Sequence, residues 1–307
     1  MRTCLAPLAL LVATSAPARA QKWTVQYQDT TFTGELTAVH FASATAGTAV
    51  GKGVIMQTSD GGATWTPRPG VVGSRGGGLY GVFMTDASRT FVVGANGRIA
   101  TSGDGGTTWT QLRAGSEELD GIAFAGPMHG IAVGRSGTIV RTTDGGATWS
   151  AVQSGTTEDL KAVTHPDTGF AAAVGSLGTI LTSHDGGITW AKQASGLKSG
   201  LTGVSFAGRN TGIAVGAFGK ILRTTDGGVT WRAQQNPSSD NLNAVVLVGA
   251  KVGVAVGDQG TVLRTANGTM WVQQKLPHTR QLNGVAFTDD RTGTIVGYLT
   301  TIMRTSP

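Results

Sequence analysis

Catalysis needs a few reactive side-chain types at matching spacings, and this sequence scatters them. Its histidines, His40, His129, His165, His184 and His278, show no metal-ligand spacing. It contains no Gly-x-Ser-x-Gly elbow and no His-Glu-x-x-His segment. Residues 76–81 match the dinucleotide glycine pattern, but a strand pattern follows them where a helix is required. The single cysteine, Cys4, lies in a leader-like segment, so the chain beyond it has no thiol, disulfide or cysteine metal site. No catalytic residue, metal site or cofactor is therefore expected.

Five aspartates do recur in a fixed setting. Thr142-Thr143-Asp144-Gly145-Gly146-Ala147-Thr148-Trp149 follows the pattern (Ser/Thr)-x-Asp-x-Gly-x-Thr-Trp, as do residues 58–65, 102–109, 183–190 and 224–231. In such a segment the carboxylate accepts N–H groups of its own hairpin loop and the glycines permit positive φ. The tryptophan then fills the space between sheets. Repetition in nearly every unit marks Asp60, Asp104, Asp144, Asp185 and Asp226 as structural rather than catalytic or calcium-binding. A sixth copy, residues 265–271, is one residue short, with Asn267 for the aspartate, and reads as a weakened turn.

Arginines precede several of these turns: Arg141, Arg223, Arg264 and Arg304. Facing outward, they would form a basic stripe that pairs with a partner's carboxylates. Facing the other way, they would pack against the neighbouring turn. Strand alternation leaves both options open. In the other three units Gln57, Ala100 and Leu181 are assigned to the same place.

The elements that position these groups follow from the tryptophans. Trp23, Trp65, Trp109, Trp149, Trp190, Trp231 and Trp271 are separated by 42, 44, 40, 41, 41 and 40 residues, the period of a four-stranded propeller blade. Each unit reads as a Leu-x-(Gly/Ala)-(Val/Ile) strand, a strand of small apolar residues, a third strand after a glycine turn, and a polar fourth strand starting at tryptophan. The small second-strand residues are expected to let blades approach near the axis. The expected fold is all-β: a seven-bladed β-propeller of four-stranded blades. The last unit has no tryptophan strand after its third strand, so residues 22–26 are expected to complete the last blade and close the ring.

Such a ring puts the turns between strands two and three, and the connections between blades, on the face where propellers usually bind. The candidates there are Arg98, Arg135, Phe218, Lys220 and Tyr298, with Arg75 and Arg280 from the connections. Together they make a moderately cationic, chemically mixed surface.

The ends and composition set the compartment. Arg2, an apolar run over residues 5–13, and Ala18 and Ala20 form a secretory signal, with cleavage expected after Ala20. Residues 1–20 are thus read as a signal peptide and residues 21–307 as one domain, exported to the periplasm or the cell exterior. Loss of Arg2 and Arg19 takes the net charge from +6 to +4, too mild to argue for nucleic acid. A monomer, peripheral to a membrane at most, is expected to bind a protein partner in the envelope.

The phrase Arg-Thr-Thr-Asp-Gly-Gly-x-Thr-Trp, with Ala-Val-Gly before it and seven units in all, resembles the Ycf48/Hcf136 family of photosystem II assembly and stability factors. The resemblance covers essentially all of residues 21–307. It implies a non-catalytic propeller scaffold that binds a protein subunit through an arginine-bearing surface, here Arg141, Arg223, Arg264 and Arg304. The competing class is an Asp-box glycoside hydrolase, sialidase-like or xyloglucanase-like. Such an enzyme needs two facing carboxylates, and a sialidase an arginine cluster with a tyrosine; only Tyr27, Tyr80 and Tyr298 are available.

Overall fold

In the computed structural model, residues 21–28, 34–68 and 77–305 are described; the expected signal peptide and Arg75 lie outside them. Twenty-eight strands form seven four-stranded antiparallel sheets. Blade one comprises β2 (Leu36–Phe41), β3 (Gly47–Gly51), β4 (Val54–Thr58) and β5 (Thr66–Pro67). Blades two to six repeat that order, and their innermost strands are β6 (Leu79–Met84), β10 (Leu119–Ala125), β14 (Leu160–Asp167), β18 (Leu201–Ala207) and β22 (Leu242–Val248). Blade seven is ordered β26 (Leu282–Phe287), β27 (Gly293–Gly297), β28 (Ile302–Thr305), β1 (Trp23–Tyr27). The N-terminal strand therefore closes the ring as the sequence implies, with Trp23 opposite Thr305 and Thr24 opposite Arg304.

Among the described residues the core is divided rather than central. Seven apolar wedges lie between successive blades. Trp23 belongs to the wedge between blades six and seven, with Val254, Leu282 and Met303. Each second strand is buried along most of its length, because it is covered by the blade on either side.

The axis itself is formed differently from the expectation. The first strands, rather than the small-residue second strands, pack on one another around it. Close approach comes from their third residue: a Cβ on Gly121 would lie 3.2 Å from Ala162 Cα, and one on Gly284 3.1 Å from Ala38 Cα. The second strands need smallness elsewhere. A Cβ on Gly134 would fall 1.8 Å from the Glu118 carbonyl oxygen, and the last glycine of every second strand has an equivalent neighbour at 1.8–2.2 Å.

The Asp-box turns behave as the sequence predicts. Asp60 accepts the Thr58 hydroxyl at 2.7 Å, the Thr64 N–H at 2.9 Å and the Thr64 hydroxyl at 2.6 Å. Asp144 and Asp226 repeat that set of contacts. In the sixth copy the Asn267 side-chain oxygen still accepts the N–H groups of Thr269 and Met270, at 3.0 and 2.9 Å. The shortened turn is kept.

Candidate binding face at the channel mouth

The site begins with a defect in strand pairing. In every blade the register between the first and second strands slips just after the leading leucine, between Leu36 and Ala38 in blade one and at the equivalent place in the rest. Such a bulge takes one residue out of the ladder and re-aims its side chain. The seven residues so displaced are Thr37, Tyr80, Asp120, Lys161, Thr202, Asn243 and Asn283, and all line the mouth of the channel, a recess of about 270 Å³. Beneath them the fourth residues, Val39, Val82, Ile122, Val163, Val204, Val245 and Val285, form an apolar collar.

Part of this ring is a lock between blades. Thr37 donates its hydroxyl to the Leu79 carbonyl at 2.7 Å. Asn243 Nδ2 donates to the Leu282 carbonyl at 2.8 Å, Asn283 Nδ2 to the Leu36 carbonyl at 2.9 Å, and Thr202 makes the same bond to Leu242. Each ties a ring residue of one blade to a backbone carbonyl of the next.

Blades two to four depart from that pattern and carry charge. The Lys161 ammonium lies 3.3 Å from Asp120 and 3.5 Å from Asp159, and Arg135 lies 2.9 Å from Glu118. Burial raises the Asp120 carboxyl, with Lys161 opposing it. Burial, with the neighbouring Glu118 charge, also raises the Tyr80 phenol. A raised phenol stays protonated and donates hydrogen bonds, the opposite of an activated nucleophile. In this sector Glu117, Glu118, Asp120 and Asp159 outnumber Arg135 and Lys161, so the face is electrostatically divided rather than evenly cationic.

Above the ring, the turns joining second to third strands hold non-glycine residues at positive φ: Asn96 (58°), Ser136 (53°), Leu177 (52°), Phe218 (58°), Gln259 (55°) and, in blade seven, Leu299 (54°) with Thr300 (50°). A left-handed conformation costs an ordinary residue ~1–2 kcal/mol, with Asn the usual exception. Neighbouring connections hold two of these turns from below: Asp159 accepts the Ser136 N–H and Asn241 Oδ1 the Phe218 N–H, both at 3.0 Å.

The residues expected to bind a partner divide between two faces. Arg135, Lys220, Phe218 and Tyr298 are exposed on the channel-mouth side. Arg98 is half-buried and bonds the Gly77 carbonyl at 3.3 Å; Arg280 is half-buried, its N–H bonded to His278 Nδ1 at 3.2 Å. Arg141, Arg223, Arg264 and Arg304 sit at the opposite end, each reaching sideways to the next blade. Arg141 Nε donates to Gly186 in the next Asp-box turn at 2.8 Å, and Arg264 donates to the Asp290 carbonyl at 2.9 Å. Arg223 approaches the Ala250 carbonyl at 3.4 Å, and Arg304 lies beside Gly61. Of the two orientations left open by strand alternation, packing against the neighbouring turn is the one these contacts describe.

Strand register corrects one assignment. The residues equivalent to these arginines in blades two and four are Thr101, opposite Phe91, and Thr182, opposite Ala172, rather than Ala100 and Leu181. Where Thr101 is too short, Arg89 from the preceding turn binds Gly145 of the next blade instead. Sequence reasoning missed the bulged ring and Arg89. The ring's one available signal was the residue after each leading leucine, which changes widely from unit to unit between a constant leucine and a residue that is always Gly or Ala.

The lower channel holds two histidines that stay neutral. His165 is buried with both ring nitrogens unpaired, at a position where other blades place Phe41, Phe124, Phe206 or Phe287. Burial lowers its pKa to about 4, as it does for His40, whose Nδ1 accepts the Met84 N–H at 3.1 Å.

The family model described as BNR/Asp-box repeat matches residues 181–192. No curated protein matches the chain. Among solved structures, YCF48 bound to D1 peptide superposes with a TM-score of 0.76 at 22% identity, over 95% of this chain and all of that one. YCF48 from Cyanidioschyzon merolae gives 0.77 at 20%, over 94% and 99%. A catalytically inactive virginiamycin B lyase from Staphylococcus aureus with quinupristin gives 0.77 at 12%, over 93% and 100%. The chain is thus a seven-bladed propeller of YCF48-like form, a shape that an enzyme also uses.

Proposed function

We propose that this chain is a non-catalytic scaffold of the Ycf48 kind that holds a segment of a protein partner across its channel mouth. The observation that carries this reading is the bulged ring. Within a repeat that is otherwise regular, one residue per blade is free of the ladder, and in blades two to four those residues, Tyr80, Asp120 and Lys161, are bulky or charged and offer donors and acceptors to the mouth. The YCF48 structure that shares this fold carries a D1 peptide, which supports a peptide segment as the ligand class.

The leader-like residues 1–20 support export, and we propose that the protein acts in the periplasm or outside the cell. There it would assist assembly or stability of a membrane or envelope protein complex, as a monomer.

The experiment is capture of a candidate partner by the purified protein and by the variant Tyr80→Ala/Lys161→Ala. The reading expects a loss of about tenfold or more in affinity, about 1.4 kcal/mol, with the fold intact by circular dichroism. Unchanged capture by that variant would move the site elsewhere. A glycosidase would instead turn over a fluorogenic glycoside and lose that activity in Asp120→Asn; such a result would replace the scaffold reading.

A further inference from the structure

Leu177 and Phe218 occupy the same turn position in blades four and five, on the rim of the channel mouth. They are 64% and 69% exposed. Both hold left-handed backbones, where blades two, three and six place Asn96, Ser136 and Gln259 and blade seven places Leu299, which unlike them is half-buried. Leu and Phe are disfavoured in that conformation relative to Gly or Asn, and water disfavours their exposed surface, so the fold gains on neither count. The turn carrying Leu177 rests on the connection to blade five, with Gly178 beside Ser195 and the Leu197 carbonyl. The next residue of that connection, Lys198, is exposed, and so is Lys220, two residues after Phe218. Neither lysine forms an ion pair among the described residues.

We propose that this rim is a membrane-docking edge. Leu177 and Phe218 insert into the interfacial layer of an anionic lipid bilayer while Lys198 and Lys220 meet the phosphate head groups. The two apolar side chains project from turn tips, whereas the recess is walled by the bulged ring residues; a peptide would need walls, but a bilayer receives protruding tips. Apolar insertion combined with positive charge is the combination by which proteins bind anionic interfaces without spanning them. No helix among the described residues is long and apolar enough to cross a membrane, so attachment by this edge is peripheral. The inference does not depend on the scaffold reading, and it leaves the recess free for a partner emerging from the same membrane.

The test is flotation of the purified protein with vesicles of phosphatidylglycerol and phosphatidylcholine, against vesicles of phosphatidylcholine alone. The wild type is expected to float with the anionic vesicles, less so at high salt. The double variant Leu177→Asn/Phe218→Asn should bind about tenfold more weakly. Its Tm should nevertheless rise by about 2 °C, because Asn tolerates the left-handed backbone. Lys198→Glu/Lys220→Glu should abolish the preference for anionic vesicles. Ile188→Asn/Val229→Asn serves as the control, removing apolar side chains that are each 58% exposed in the Asp-box turns of the opposite face. That control should leave flotation unchanged. The proposal is overturned if the wild type ignores anionic vesicles, if Leu177→Asn/Phe218→Asn floats as well as the wild type, or if the control loses binding equally. Binding of an acidic, apolar peptide that the double variant loses, with no vesicle binding, would also overturn it and make the rim a peptide site.

Discussion

Asp-box carboxylates are saturated within their own turns, and this decides what they can do. The hydroxyl and N–H groups of Thr108 and Thr230 hold Asp104 and Asp226 at about 2, well below the usual carboxylate range. A carboxylate depressed in the fold stabilises it fully above its unfolded pKa of about 4, and that contribution disappears as pH falls toward the folded value. His165 acts in a higher window. Its folded pKa of about 4 lies below the unfolded value near 6.5, so its cost to stability appears as pH falls from 6.5 to 4. His165→Phe restores the side chain that other blades carry and removes a buried unpaired imidazole. Its Tm should exceed that of the wild type, with a flatter dependence on pH between about 4 and 6.5, measured by calorimetry. An unchanged pH profile would mean that His165 is not held neutral in the fold.

At the scale of the strand, the last glycine of each second strand faces the carbonyl of the residue just before the first strand of its own blade. Gly134→Ala would drive a methyl group into the Glu118 carbonyl oxygen, so unfolding in urea should show a loss of about 2–4 kcal/mol. Gly103→Ala, in an Asp-box turn with no atom within 4 Å of the added Cβ, should change stability by less than about 0.5 kcal/mol. The strands and turns themselves were legible in the sequence. A period near 41 residues, leucine-led alternation and the Asp-box residues each have a local cause that survives in any context. The bulged ring was not legible, because a bulge is a relation between two strands and leaves no mark on the alternation of either one. The sideways reach of Arg141 to Gly186, and of Arg89 to Gly145, was hidden for the same reason: both contacts join different blades. Small second-strand residues suggested closeness at the axis, but their closeness is to the first strand of the same blade.

Closure of the whole ring depends on one short strand. Trp23 fills the wedge between blades six and seven, and Gln21 bonds the Gln274 side chain at 3.0 Å and the Arg291 carbonyl at 2.9 Å. Removing residues 21–27 leaves blade seven with three strands and an open edge. Such a chain should melt in a broad, lower transition, whereas moving that strand to the C-terminus by circular permutation should restore a cooperative one. Holding the ring closed is what brings seven bulged residues from seven blades to one mouth. The most direct test of that mouth as the binding surface is site-specific photocrosslinking in cells that produce the protein. A photoreactive residue at Lys161 should crosslink a protein partner, while one at Ile188 in the opposite turns should not. Crosslinks from Ile188 with none from Lys161 would contradict the account.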